Sequence, residues 1–422
     1  MPSPPLRPYS ISLHRSCCYV ASPEFVGLIT LRMLQLTLSY GLCNETSFSF
    51  ATYAMLQNGI FNDTKAGRRF AQLSLTILNK SDAKEWAAKV HALVYFFGAH
   101  NQYAISSYLD KFQYGYQIGM DIGDLEYAMY NLLDFAISSF HCGRSLLQLQ
   151  DEMKLYHKRM TECNQPIPLS FLSAFWQSIQ NLMGHSSNPL YLTGDVFDEA
   201  MMINHAEKEG NVLLLQFINY NKLMLAYMFG NFENAVKEAA KGRNLVTVRA
   251  PGMFVVANFT FYDGLASCAL AVESNLKSVK RSCLKTHKIA KSKMKTWSKM
   301  CPENFSQKYL LLKAEGSAVK GKNDKAKNAY EAAIAAAKKN NYIHDEALAY
   351  ERAALFSKNV GEEIKASRYL ARSQQLYLAW GAKEKSTWIL AKYPAMVEPA
   401  KSRASFKVFM QSRCASVSPG DF

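Results

Sequence analysis

The chain has 422 residues, 49% hydrophobic and 20% charged, a composition that suits a globular protein and excludes a disordered polypeptide. That length accommodates two or three domains or one continuous repeat array. A net charge of +15 favours acidic proteins, anionic surfaces or nucleic acid as partners and leaves the fold open.

Residues 1 to 23 hold no acidic side chain and carry Arg7, Arg15 and several Ser and Pro, loosely in the manner of an organelle transit peptide. No apolar segment typical of a secretory signal follows, so 1–20 is expected to be a disordered leader. The expected location is the cytoplasm, with organelle targeting by the leader left open. Pro23 to Tyr40 then reads as a helix whose apolar stripe is Phe25, Leu28, Leu31, Leu34 and Leu38. A second helix is expected from Thr46 to Leu56. Asp63 and Gly67 read as a turn into a helix from Phe70 to Leu78, and further helices are expected near 82–97, 103–120, 124–140 and 145–160. The cluster Asn164-Gln165-Pro166 with Pro168 reads as a breaker.

Residues 185–197, with Asn188-Pro189 and Gly194-Asp195, form the longest interruption and divide an N-terminal half (21–184) from a C-terminal half (198–394). Helices resume near 198–208, 211–228, 232–247 and 252–272. Pro251 to Val272 has Asp263 as its sole charge, but Asn258, Thr260, Gly264 and Ser267 interrupt it, which favours a buried core helix over a membrane span. After Pro394 periodicity fades, and 395–422 is expected to be a flexible tail.

The most regular stretch is Tyr309 to Pro394. Gly321 is followed by Ala326, Tyr330 and Ala333, and 40 residues later Gly361 is followed by Ala366, Leu370 and Ser373. A helix-ending Gly accepts the left-handed turn, and a small residue five positions on lets the next helix approach its partner closely. Gly230 with Ala235, and Gly123 with Ala128, repeat the offset. With no convincing β alternation, the fold class is all-α: a tetratricopeptide-like α-solenoid of antiparallel helix hairpins, stacked because one hairpin cannot bury its apolar face alone.

Chemistry-bearing motifs are few. Gly316 to Gly321-Lys322 nearly matches a phosphate-binding loop, but Asn323 stands where Ser or Thr should hold magnesium and no strand precedes it. Tyr262-Asp263-Gly264 lacks the companion segments of a kinase metal site and reads as helix interior. Glu346, Glu351, Glu362 and Glu363 read as acids on solvated helix faces. Nine scattered cysteines, with no C-x-x-C pair, read as reduced and mostly buried thiols. No catalytic residue, cofactor or metal is expected, and the chain reads as a non-enzyme.

One basic run stands apart. Between Glu273 and Glu303 there is no acid but nine Lys or Arg: Lys277, Lys280, Arg281, Lys285, Lys288, Lys291, Lys293, Lys295 and Lys299, with Trp297 near the end. On a single helix, Lys277, Lys280 or Arg281, Lys288 and Lys295 share a face. Such a helix could meet nucleic acid or anionic lipid, although a solvated solenoid edge explains it more simply.

From Ala21 to Pro394 the chain resembles the helical region of large multidomain signalling kinases, which combine a Ser/Thr kinase, an AAA-type ATPase and a GAF domain with or without a histidine kinase. The matching stretches include Leu31-Arg32-Met33, Tyr40-Gly41, Gly115-Tyr116-Gln117 and Gly123 to Ala128. Further along come Asn188-Pro189, Asp198-Glu199, Asn221-Lys222, Phe229-Gly230 and Phe261-Tyr262-Asp263. The fullest match is Asp345 to Ala349 with Tyr377, Trp380-Gly381-Ala382-Lys383 and Tyr393-Pro394. The resemblance implies a regulatory scaffold that binds a protein, such as a signalling kinase or its regulator. Its alternative is a remnant of an ATPase or kinase that keeps nucleotide-linked regulation.

Overall fold

The computed structural model describes residues 24–81, 83–249 and 252–397. In the N-terminal part the helices are α1 (Glu24–Tyr40), α2 (Thr46–Gly59), α3 (Thr64–Ser81), α4 (Ala87–Phe96), α5 (Leu109–Ile122), α6 (Leu125–His141), α7 (Leu146–Glu162) and α8 (Pro166–Met183). After the 185–197 segment come α9 (Glu199–Lys208), α10 (Val212–Met228), α11 (Phe232–Arg249), α12 (Phe254–Glu273) and α13 (Lys277–Met300). The last hairpins are α14 (Pro302–Ala318), α15 (Asn323–Lys339), α16 (Ile343–Asn359), α17 (Glu363–Trp380) and α18 (Lys383–Lys392). No strand is present among the described residues. Each helix packs chiefly on its sequence neighbours, in consecutive antiparallel hairpins, as a tetratricopeptide-like solenoid requires.

The turns follow the predicted chemistry. Gly123, Gly230, Gly321 and Gly361 all have positive φ, and the small residues five positions on, Ala128, Ala235, Ala326 and Ala366, are fully buried. Side-chain caps start several helices: Asp124 accepts from the Tyr127 amide, Asp198 from Met201 and Asn211 from Leu214.

The Asn164-Gln165-Pro166 cluster separates α7 from α8 as expected, and two other local expectations are corrected. Pro166 opens α8, because its missing N–H falls where a helix has no partner for one. Gly67 lies inside α3, not in a turn, and packs closely on the Asn58 side chain. The stripe expected of α1 faces outward. Phe25, Leu28, Leu31 and Leu38 are exposed, and Val26, Thr30, Met33 and Leu36 are buried beside Leu34. α1 is apolar on both sides, so periodicity alone did not decide which side faces inward.

The array also folds back on itself. Among the described residues the main hydrophobic core runs from Val26 to Val397, and α18 packs on α8. Asn304 satisfies all of its side chain across this junction. Its amide donates to the carbonyls of His100 (2.7 Å) and Tyr103 (2.8 Å), and its oxygen accepts from the Ile105 amide (3.1 Å) and the Tyr342 hydroxyl (2.7 Å). Trp380 donates to the Arg144 carbonyl at 3.0 Å and stacks on His344. The 185–197 segment is pinned by Asn181, which donates to the carbonyls of Pro189 and Tyr191, while Leu192 and Phe197 enter the core. The leader 1–20 lies outside the described residues, as does the expected tail beyond 397. Met396 and Val397, at the start of that tail, are buried.

The membrane-length candidate is a core helix. α12 is long and apolar enough to cross a bilayer, yet 83% of its 18-residue apolar window is buried. The charge in its interior, Asp263, accepts two bonds from Arg243 of α11, at 2.9 and 2.7 Å. Tyr262-Asp263-Gly264 is therefore helix interior, and Gly264 is where α13 comes closest: a Cβ there would stand 2.6 Å from that of Ala290.

Candidate interaction groove

The C-terminal hairpins enclose a groove of ≈ 790 Å³, lined by residues of every helix from α10 to α16 and of α18. Its floor is charged but locked. Arg352 of α16 donates twice to Glu315 of α14, at 2.8 and 2.9 Å, and the Tyr330 hydroxyl donates to the same carboxylate at 2.8 Å. Burial alone would raise the pKa of Glu315, but the Arg352 guanidinium outweighs it and holds the carboxyl below its usual range. Beside it, Glu351 accepts from Lys385 of α18 (2.8 Å) and from the Tyr377 hydroxyl (3.1 Å). Lys385 is fully buried and also donates to the Met228 carbonyl. Desolvation pulls its ammonium down to about 8, with Glu351 opposing the shift. Lys385 also stands 3.9 Å over the Trp388 ring, which Lys392 approaches at 4.6 Å.

These contacts overturn the reading of the acids as solvated. Glu351 and Glu346 are buried; Glu362 is half-buried and paired with Lys327 at 2.9 Å, and only Glu363 is exposed. The partners lie 26 to 37 residues away in sequence, one hairpin on, beyond the reach of any pairing signal in helical spacing. A third pair, Lys308 with Asp345 (2.7 and 2.9 Å), is almost completely buried. The stretches Asp345 to Ala349, Tyr377 and Trp380-Gly381 thus supply the locks of the array. Asp198-Glu199 and Asn221-Lys222 do the same: Lys222 bridges Glu199 and Glu238.

The rim differs. Val272, Leu276, Leu284 and Val360 are apolar and exposed, between 37% and 65%. Lys280 and Leu284 of α13 line the groove itself. The basic run is one helix, as predicted. Cys283, His287, Ala290 and Met294 form its buried face, while Lys277, Arg281, Lys285, Lys288, Lys293, Lys295 and Lys299 are exposed and Lys280 and Lys291 half-buried. No ion pair reaches any of the nine among the described residues. Burial, with Lys320, Lys288 and Lys295 close by, lowers the pKa of Lys291, the response of a cation that lacks a counter-charge. The Gly316–Lys322 stretch is helix and turn; Gly316 packs on His287, and no phosphate-cradling loop forms there. The six described cysteines are free thiols, and no group of three metal-ligating side chains exists among the described residues.

The fold and groove define a helical-repeat scaffold. A family model for CHK1-like tetratricopeptide repeats matches residues 178–354, which supports a tetratricopeptide-like region from the end of α8 to α16. No curated protein matches the chain. Among solved structures, a "circular tandem repeat protein with novel repeat topology and enhanced subunit contact surfaces" is 10% identical over 96% of this chain and 97% of its own; at a TM-score of 0.18 that likeness carries no argument.

Proposed function

We propose that the chain is a non-catalytic, protein-binding scaffold that receives a segment of a signalling kinase, or of a kinase regulator, in the groove of the C-terminal hairpins. The observation that carries the reading is the contrast between a charge-locked floor and a rim of exposed apolar side chains beside unpaired cations. An interface of this kind takes apolar anchors into the groove and acidic groups along α13. The choice of kinase signalling rests on the sequence resemblance, to which the CHK1-like repeat match lends support. The free thiols suit a reducing compartment, in keeping with a cytoplasmic location.

A photo-crosslinking residue at Leu284 tests the proposal. The expected result is one crosslinked protein species, abolished by Arg281→Glu with Lys288→Glu. Crosslinks to nucleic acid or lipid in place of protein would transfer the site to the anionic-polymer reading. ATP binding that disappears in Lys322→Ala would favour the ATPase-remnant reading instead.

A further inference from the structure

A second cavity lies where helices of the N-terminal half meet α10. It measures ≈ 60 Å³, room for about four water molecules, and is lined by α4, α6, α8, α10 and Met253. Its walls are aromatic: Phe96 from α4, Tyr127 and Tyr130 from α6, Phe171 from α8 and Phe217 from α10. Among them stands the carboxyl of Asp134, one residue on from Leu133 and two helical turns past Tyr127. Asp134 is 4% exposed, and no hydrogen bond or ion pair reaches it among the described residues. Every other acid buried this deeply in the C-terminal hairpins has a lysine, arginine or tyrosine on it, apart from Glu346. A buried, unpartnered carboxyl is costly to keep, and its presence calls for an explanation.

We infer that this cavity is a binding site for a small organic ammonium ion, with Asp134 as the counter-charge and the surrounding rings as an aromatic cage. Ring faces attract a cation and shed little solvation energy in doing so, and a carboxylate behind them adds direct Coulomb attraction. Among the described residues, Lys89 stands 5.1 Å over the Tyr127 ring but is held in an ion pair by Asp124.

Desolvation holds Asp134 well above the usual carboxylate range, so a bound permanent cation must shift it toward the carboxylate. Binding then releases a proton, and affinity rises with pH. The other ionisable groups of the lining are Glu126 and the phenols of Tyr127 and Tyr130, all on α6; the remaining helices contribute none.

Choline, whose charge does not depend on pH, is the probe, and 3,3-dimethylbutan-1-ol is its uncharged isostere. Calorimetry on the whole chain, in buffers of different ionisation heat from pH 5 to 8, should show choline binding with proton release and tightening as pH rises. Asp134→Asn should weaken choline at least tenfold, abolish the proton release and leave the alcohol within about threefold. The proposal fails if millimolar choline does not bind, if Asp134→Asn binds it as well as the natural chain, or if the alcohol binds the natural chain as tightly as choline. Should Asp134→Asn fail to fold, the natural chain still decides: choline binding without proton release overturns the assignment.

Discussion

Helices α16 and α13 carry much of the charge in the C-terminal half, and they use it in opposite ways. On α16, Asp345 and Glu351 are buried and Arg352 is half-buried, and each meets a partner from a neighbouring hairpin at 2.7–3.1 Å. On α13 the cations crowd together with no carboxylate in reach, and only the stems near Lys280 and Lys291 are covered. Charge that is paired and dry fixes how hairpins dock; charge that is unpaired and wet is free to meet something else. The difference is one of partners, not of residue type.

The sharpest way to break this contrast is to remove one half of a buried pair. Lys308→Met strands Asp345 in the core and should cost about 3–5 kcal/mol of unfolding free energy in guanidinium titrations. Adding Asp345→Leu should recover most of the loss, because two apolar groups need no counter-charge. A single variant that unfolds like the natural chain would mean the pair does not hold α14 to α16.

A second effect comes from His91 and His100, which are buried, and from half-buried His344 beside Asp345. Burial lowers the pKa of His344 to about 4, of His91 to about 4 and of His100 to about 3. All are depressed below the unfolded value of 6.5, so the unfolded chain binds more protons between 6.5 and the folded value. Stability is therefore full above 6.5 and falls as pH drops toward 4, by on the order of 3 kcal/mol for a shift like that of His344. His344→Gln should flatten the pH dependence of the denaturation midpoint over that window. An unchanged slope would exclude His344 as a contributor.

The smallest effect belongs to α13. Arg281→Glu with Lys288→Glu should change stability by no more than about 0.5 kcal/mol in thermal melts, since neither side chain has a partner to lose. A large destabilisation would show the basic face to be structural and erase the distinction between the two helices.

Much of the architecture was legible from punctuation. Gly followed five residues later by a small residue marks a tight turn and a close approach, and both are local events. The basic run was equally plain, because its face is set by helical spacing alone. The buried acids were not. Whether Glu351 is solvated depends on Lys385, 34 residues on, and on the docking of α18. α1 misled for a related reason: with apolar residues on both sides, its orientation is set by α2, not by its own pattern. Asp134 passed unnoticed because one acid in a helix carries no signal until its neighbours from four other segments are in place.

The bonds from Trp380 to Arg144 and Asn304 to His100 fasten late segments to early ones. A protease that cut the backbone within 185–197 should therefore yield two fragments that still co-migrate on a sizing column. Denaturant would part them, and on its dilution they should find each other again without being rejoined.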